Sequence, residues 1–310
     1  MIATLRTYYR QWEQQPYIGS VFRIPGKLAR RTLVAWFAAA KRRRWQARIK
    51  LVQQCTDHQY IPRVANAGQV ISGYQIMHNG LKIGIGSYYG AAMTELLQAN
   101  RGVHEPQEEH VFQEVLHCLP AQAVMIELGA YWGFYSMWFH QAIADPTCYL
   151  VEPAPEYLLL GQQNFALNDM HADFSNYWVG ARSSTTPPAT VGNSVTPTIC
   201  LDDFLAQKSI THLHLLHADI QGAELDLLAG AAIALQNHQI DYIFLSTHGE
   251  DLHRACLQQL AEYDYSIIAD ASPLESYAVD GVIAARRSAI ALPLPIALDK
   301  RKHTESRTNQ

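Results

Sequence analysis

The chain has 310 residues, 48% of them hydrophobic and 17% charged, which excludes global disorder and leaves room for one large domain or two small ones. The formal charge of −4 hides an asymmetry: residues 1–50 hold 12 Lys/Arg and a lone acid, Glu13, for +11, and the remainder carries −15. An acidic body excludes a broad grip on nucleic acid and leaves any attraction to an anionic partner to the N-terminal segment.

Residues 1–59 read as a basic helical extension, interrupted at Pro16 and Pro25. Leu33, Val34, Trp36 and Phe37 fall close to one helical face, and Lys41–Arg44 follow at once. The leading expectation is a helix packed on the body with a solvated basic end. The sharper alternative is an interfacial helix touching anionic lipid at the inner membrane face. The apolar run Leu33–Ala40 is too short for a membrane span, which needs ~20 residues. No apolar h-region stands at the start, so no signal peptide is expected. Five widely spaced cysteines (55, 118, 148, 200 and 256) lack CxxC pairing and read as reduced thiols of a cytoplasmic protein.

Residues 60–103 form a hairpin or cap segment. Gly73–Met77 and Leu81–Ile85 flank His78-Asn79-Gly80, and Asn-Gly between apolar runs signals a β-hairpin. From residue 104 to 293 the chain alternates. Short apolar strands are expected at Val124–Leu128, Cys148–Val151, Tyr177–Val179, Leu213–Ala218, Tyr242–Ser246, Tyr265–Ala269 and Val282–Ala285. Helices are expected between several of them, as at Glu156–Asn168 and Ala223–Leu235. The pattern predicts an α/β domain: a seven-stranded, mainly parallel sheet with helices on both faces. Residues 183–197, rich in Ser, Thr and Pro, read as a loop, and residues 294–310 as a disordered tail.

Two strand tips carry chemistry. The first is Ile126-Glu127-Leu128-Gly129-Ala130-Tyr131-Trp132-Gly133-Phe134: a strand ends in an acid, two glycines follow, and a helix begins. Glycine lets the backbone turn sharply and a ligand come close. The second is Tyr149-Leu150-Val151-Glu152-Pro153, whose carboxylate stands where a ribose diol would donate two hydrogen bonds. A dinucleotide would want Gly at position 131 and no acid beside its pyrophosphate. S-adenosylmethionine is cationic, lacks phosphate, and fits these residues better.

At this point the chain resembles the FkbM family of S-adenosylmethionine-dependent methyltransferases. The resemblance rests on Glu127–Ser136, on Val151–Pro155 with Asn164 and Asn168, on Cys200–Leu205, and on Leu216–Glu224. It implies a class I methyltransferase fold and O-methylation of a sugar, glycan or secondary metabolite, with S-adenosylhomocysteine as the product cofactor. By resemblance, Glu127, Gly129, Ala130 and Gly133 shape the methionine side of the pocket, and Glu152 with Pro153 the ribose side. Tyr131 and Phe134 would line its walls, and Asp219 would face the methyl group. The family's Lys-x-Asp-x-Glu-Gly stands here as His217–Gly222, and a Glu common before the fifth-strand His is Ser246.

A hydroxyl acceptor needs a base with a pKa near working pH. His248, at a strand end, is the favoured catalytic group, with His217 as the alternative and Asp219 orienting either imidazole. Glu105 or Gln107, at the start of the domain, would touch cofactor or substrate. Gly84–Gly90 is expected not to be a ligand loop, although Tyr88 and Tyr89 could cover the pocket. His217, Asp219, Glu224, His248 and Glu250 are also suitable ligands for a divalent ion, but no His-x-x-x-His or cysteine cluster supports a metal, and none is expected. Two rival functions remain: a nicotinamide-dependent oxidoreductase, and a non-catalytic scaffold that binds a partner or membrane through its basic N-terminus.

Overall fold

The structure, a computed structural model, describes residues 27–186 and 196–302. Expectations for residues 1–26, 187–195 and 303–310, and for the side chains of Leu33, Val34 and Phe37, lie outside the described residues. Helix α1 (Lys27–Gln54) is followed by a 3-10 turn and a small antiparallel sheet of β1 (Val70–Ile71), β2 (Tyr74–Ile76) and β3 (Lys82–Gly84). The pairing Gln75 with Ile83 places the predicted Asn-Gly turn at the tip of the β2–β3 hairpin. Then come α2 (Ala91–Ala99), α3 (Pro106–Leu116), β4 (Val124–Leu128), α4 (Phe134–Ala142), β5 (Thr147–Val151), α5 (Pro155–Leu167), β6 (Asp173–Ser175), β7 (Trp178–Val179) and β8 (Thr198–Ile199). The remainder is α6 (Leu201–Gln207), β9 (Leu213–Ala218), α7 (Glu224–Ala229), α8 (Ala232–Gln236), β10 (Ile240–Thr247), α9 (Glu250–Glu262), β11 (Tyr265–Ala271) and β12 (Gly281–Arg287).

The main sheet has seven strands in the order β11-β12-β10-β9-β4-β5-β6. All run parallel except β12, which inserts antiparallel between β10 and β11. This is the class I methyltransferase arrangement. Strands β9 and β10 are apolar along most of their length and buried almost throughout, as strands covered on both faces must be. Chain order reverses between β4 and β9, which sit side by side while β5 follows β4 outward. Ligands bind at such a switch point, beyond the carboxyl ends of the strands.

Proline at the first position starts α3 and α5, where its missing N–H is harmless. Glu109 strengthens the start of α3 by accepting the backbone N–H groups of His104 and Glu105. The hairpin is pinned to the domain by two asparagines of the helix α5 region. Asn164 accepts the Gly84 amide at 2.9 Å, and Asn168 both accepts from and donates to the Lys82 backbone.

Helix α1 docks through Val52, fully buried, with Trp45 and Ile49 packed on the same core. Burying an aliphatic side chain of this kind contributes ~1.5–3 kcal/mol. Lys41, Arg42, Arg43 and Arg44 are all exposed, as expected for a packed helix with a solvated basic stretch. Among the described residues no helix is long and apolar enough to cross a membrane. The five cysteines are free.

Three expectations need correction. The Tyr177–Val179 segment does not join the main sheet; Trp178–Val179 pairs with Thr198–Ile199 in a separate two-stranded ribbon, and the edge strand is Asp173–Ser175. The single helix expected over Ala223–Leu235 is two, broken at Gly230-Ala231. A Cβ on Gly230 would lie 2.5 Å from the Gly180 carbonyl, so the chain passes too close there for a regular helix with side chains. The segment expected to be a disordered tail from residue 294 is packed as far as Arg301, whose amide donates to Glu275 O. Ile296 donates its N–H to Ile268, and Asp299 donates its own to Asp57.

Candidate functional site

Three strand tips converge on one loop. Gly129, directly after β4, has φ +72°, and a Cβ there would lie 1.9 Å from the Asp219 carbonyl oxygen. The close approach is held by the Asp219 amide, which donates to Leu128 O, and the Gly129 amide, which donates to Val151 O. Glycine at 129 is therefore what lets β4, β5 and β9 end together. They open onto a cavity of about 370 Å³.

The acids expected at the first two tips are in its wall. Glu127 lines the cavity, is nearly fully buried, and accepts the Ser136 amide at 2.9 Å. Burial pushes its carboxyl pKa up. Glu152 is held by two amides, Tyr131 N–H to Oε2 at 3.1 Å and Ala154 N–H to Oε1 at 2.9 Å. Burial pushes it up to about 7 against the pull of those amides. Ala130, Tyr131 and Pro153 also face the cavity. Tyr131 has φ +42° and stacks on Tyr157, with ring centroids 4.0 Å apart. Tyr88 and Tyr89 close one side, Tyr88 lying flat against Trp132 at 4.3 Å.

Three residues assigned to cofactor binding stand elsewhere. Gly133 is behind the wall, where a Cβ would meet Leu150 and Phe165 at 3.0 and 3.1 Å; its glycine serves packing. Phe134 is fully buried in the core. Gln107 donates to the Asp299 and Glu275 carbonyls and accepts the Tyr277 amide, so it stitches the C-terminal segment to α3. Glu105 does line the cavity, hydrogen-bonded by Tyr135 OH at 3.1 Å and 3.1 Å from His104 Nε2. Burial would raise its pKa, but the charge of His104 outweighs that and lowers it.

The imidazoles expected near Asp219 are there, each engaged by carboxylates. His248 Nδ1 lies 2.9 Å from Glu224 Oε1, and its Nε2 lies 3.2 Å from Asp280 Oδ1 and 3.3 Å from Asp219 Oδ1. Burial opposes the charged ring, but these three carboxylates overcome it and hold His248 well above the ordinary histidine range. Asp219 is lowered in turn, because the imidazolium outweighs its burial. Asp280 is pushed up to about 7, chiefly by burial. His217 Nε2 is 2.7 Å from Glu108 Oε1, whose other oxygen accepts from Ser246 Oγ at 3.1 Å. A carboxylate from α3 thus reaches the neighbourhood of Ser246.

The acidic groups proposed as metal ligands do not converge on one point. Glu250 accepts the Leu274 amide, and Glu224 is engaged by His248 and the Gly222 amide. Among the described residues, the group with ligand-like spacing is His212, His214 and Asp241, at the opposite ends of β9 and β10. There Asp241 is already paired with His212 and Arg287.

Sequence reasoning missed Asp280, Glu108, Trp45 and Arg48. Asp280 precedes the inserted strand β12, Glu108 sits in α3, and Trp45 and Arg48 reach the cavity from α1. None carries a local motif.

The chain is similar to several solved structures of methyltransferases. Ribosomal protein L11 methylase from Lactobacillus delbrueckii subsp. bulgaricus is 15% identical, covering 59% of this chain and 79% of that one, with a TM-score of 0.38. Precorrin-6y C5,15-methyltransferase from Geobacter metallireducens GS-15 is 14% identical over 58% and 89%, with a TM-score of 0.39. TrmK of M. capricolum, solved with S-adenosyl-homocysteine, is 11% identical over 57% and 67%, with a TM-score of 0.37. No curated protein matches the chain. The sequence profile of the methyltransferase FkbM domain matches residues 110–267, more than half of the chain, and includes the tips of β4, β5 and β9. The chain belongs to the methyltransferase FkbM domain family.

Proposed function

We propose that the protein transfers a methyl group from S-adenosylmethionine to a hydroxyl oxygen of a small molecule, a sugar, glycan or secondary metabolite. The observation that carries this reading is the pair of buried carboxylates, Glu127 and Glu152, at adjacent strand tips of one cavity. Glu152 is placed to accept from a ribose diol, and Glu127 favours a cationic amino acid and disfavours a pyrophosphate. That repulsion, together with Tyr131 where a dinucleotide loop needs glycine, argues against a nicotinamide cofactor.

The residues present fit the cofactor. Glu152 is rigidly aimed by the Tyr131 and Ala154 amides and would accept the ribose hydroxyls. Glu127, fixed by Ser136, and the acidic surroundings of Asp219 would hold the methionine end. Tyr131, Tyr157 and Trp132 supply aromatic walls that exclude water. Bound there, the cofactor supplies an electrophilic methyl group on a cationic sulfur.

The chain's own work is alignment and removal of one proton. His248, clamped between Glu224, Asp219 and Asp280, positions the Asp280 carboxylate at the cavity surface. An acceptor hydroxyl held beside the His248–Asp280 pair would give its proton to that pair; the cofactor would supply the methyl group from its sulfur and leave as the neutral thioether. The pair takes up the proton as a unit, with Asp280 pushed above the usual carboxylate range by burial. His217 lies deeper, paired with Glu108, and fixes that wall.

The test is incubation of the full chain with methyl-labelled cofactor and a panel of glycosides and phenols, followed by mass spectrometry of the products. Transfer of label to a hydroxyl oxygen is expected. Label found only on nitrogen, or no label transfer alongside reduction of NAD, contradicts the reading.

A further inference from the structure

Helix α1 enters the cavity wall at Trp45 and Arg48, three residues apart and so on one face of the helix. The helix is fixed there by Ile49 and Val52, which pack into the core. The Arg48 guanidinium lies 5.2 Å from the centroid of the Trp45 ring. Arg48 is the single Lys or Arg in the cavity lining among the described residues. Its Nε is shut from solvent with no hydrogen-bond partner, and among the described residues no carboxylate comes within ion-pair distance. The two nearby acids that feel its charge are already engaged: Glu105 by Tyr135 and His104, Asp280 by His248.

A desolvated guanidinium N–H without an acceptor is costly, and the planar fork of donors matches the paired oxygens of a carboxylate or phosphate. The aromatic face beside it offers a flat apolar surface. We propose that Trp45 and Arg48 form an acceptor subsite for a sugar ring bearing an anionic group, with the ring on the indole and the anionic oxygens on Arg48. The proposal rests on the methyl-transfer reading and deepens it. At the cofactor end the strand tips contribute the acids Glu127 and Glu152, whereas at this end the Arg48 guanidinium acts on Asp280 and Glu105. An anionic group drawn to Arg48 brings the ring's neighbouring hydroxyls toward the His248–Asp280 pair. Trp45 and Arg48 belong to the strongly basic N-terminal segment, whose +11 charge over residues 1–50 favours the approach of the same kind of ligand.

The experiment is calorimetry on the full chain saturated with S-adenosylhomocysteine, with three probes: methyl glucoside, methyl glucuronide and glucose 6-phosphate. At least one anionic sugar is expected to bind about tenfold more tightly than the neutral one, the loss expected when a charged hydrogen bond is missing. The glucuronide and phosphate arms tell which anionic group the subsite prefers. Arg48→Gln should abolish the preference, Arg48→Lys should restore part of it, and all three proteins should bind S-adenosylhomocysteine equally. Equal binding of neutral and anionic sugars, no binding of either anionic sugar, or an unchanged preference in Arg48→Gln overturns the subsite while leaving the cofactor reading intact. Failure of the wild-type protein to bind S-adenosylhomocysteine overturns the cofactor reading and the subsite with it.

Discussion

Glu152 is a carboxylate with two amide donors and almost no water, and the balance leaves its pKa near 7. Glu152→Ala should weaken S-adenosylhomocysteine binding by ~1–3 kcal/mol, the range for an unsatisfied buried polar site; equilibrium dialysis reads it directly. The same shift has a consequence for the free protein. A carboxyl raised from 4.5 to about 7 keeps a proton in the folded state that the unfolded state has released, so stability falls as pH rises through that window. The melting temperature of wild type relative to Glu152→Ala should therefore fall as pH rises from about 5 to 7.5. Asp280 gives the kinetic counterpart. As the proton acceptor it must be ionised, so turnover should rise with pH to a midpoint near 7. Asp280→Asn should remove that limb and most of the turnover while leaving cofactor affinity in place; a pH–rate profile of both proteins shows it. Glu127, Glu152, Asp219 and His248 were legible in the sequence because strand ends, glycines and an acid repeat in order. Asp280, Glu108 and Arg48 were not, because a loop, a helix start and an N-terminal helix bring them in through tertiary packing. The carboxylate clamp on His248 was illegible for the same reason: Asp219 and Glu224 come from the β9–α7 segment and Asp280 from the residue before β12.

Elements meet where side chains must be absent or doubly bonded. Gly129→Ala would force a Cβ into the Asp219 carbonyl at a positive φ, separating the tips of β4 and β9. It should cost more than ~1 kcal/mol and abolish cofactor binding, as urea midpoints and calorimetry would show. Asn164 and Asn168 give α5 its grip on β3, which explains why a polar residue such as Asn164 is buried. The central strands were legible as apolar runs, and α5 as the helical stretch between two of them. The edge was not. Asp173-Phe174-Ser175 is only three residues long and lacks a β-branched side chain, yet it pairs with β5, while Trp178–Val179 of the more strand-like run forms a small ribbon with β8. Backbone pairing at an edge depends on what lies beside it more than on local propensity.

The whole molecule is a seven-stranded sheet whose binding face is acidic and whose N-terminal segment is basic. Its layered, mainly parallel character follows from alternating strands and helices in the sequence. The insertion of β12 between β10 and β11 does not, since strand order depends on long-range pairing that no local pattern encodes. The central location of β9 and β10 predicts that their amides exchange slowest with deuterium, and that those of β1 and β6 exchange fastest among the strands. The account as a whole rests on one recognition event, and a calorimetric titration of the full chain with S-adenosylhomocysteine, run beside NAD, tests it most directly. Saturable one-to-one heat with S-adenosylhomocysteine, lost in Glu152→Ala, and none with NAD is the predicted outcome. Binding of NAD instead, or cofactor binding indifferent to Glu152, would contradict it.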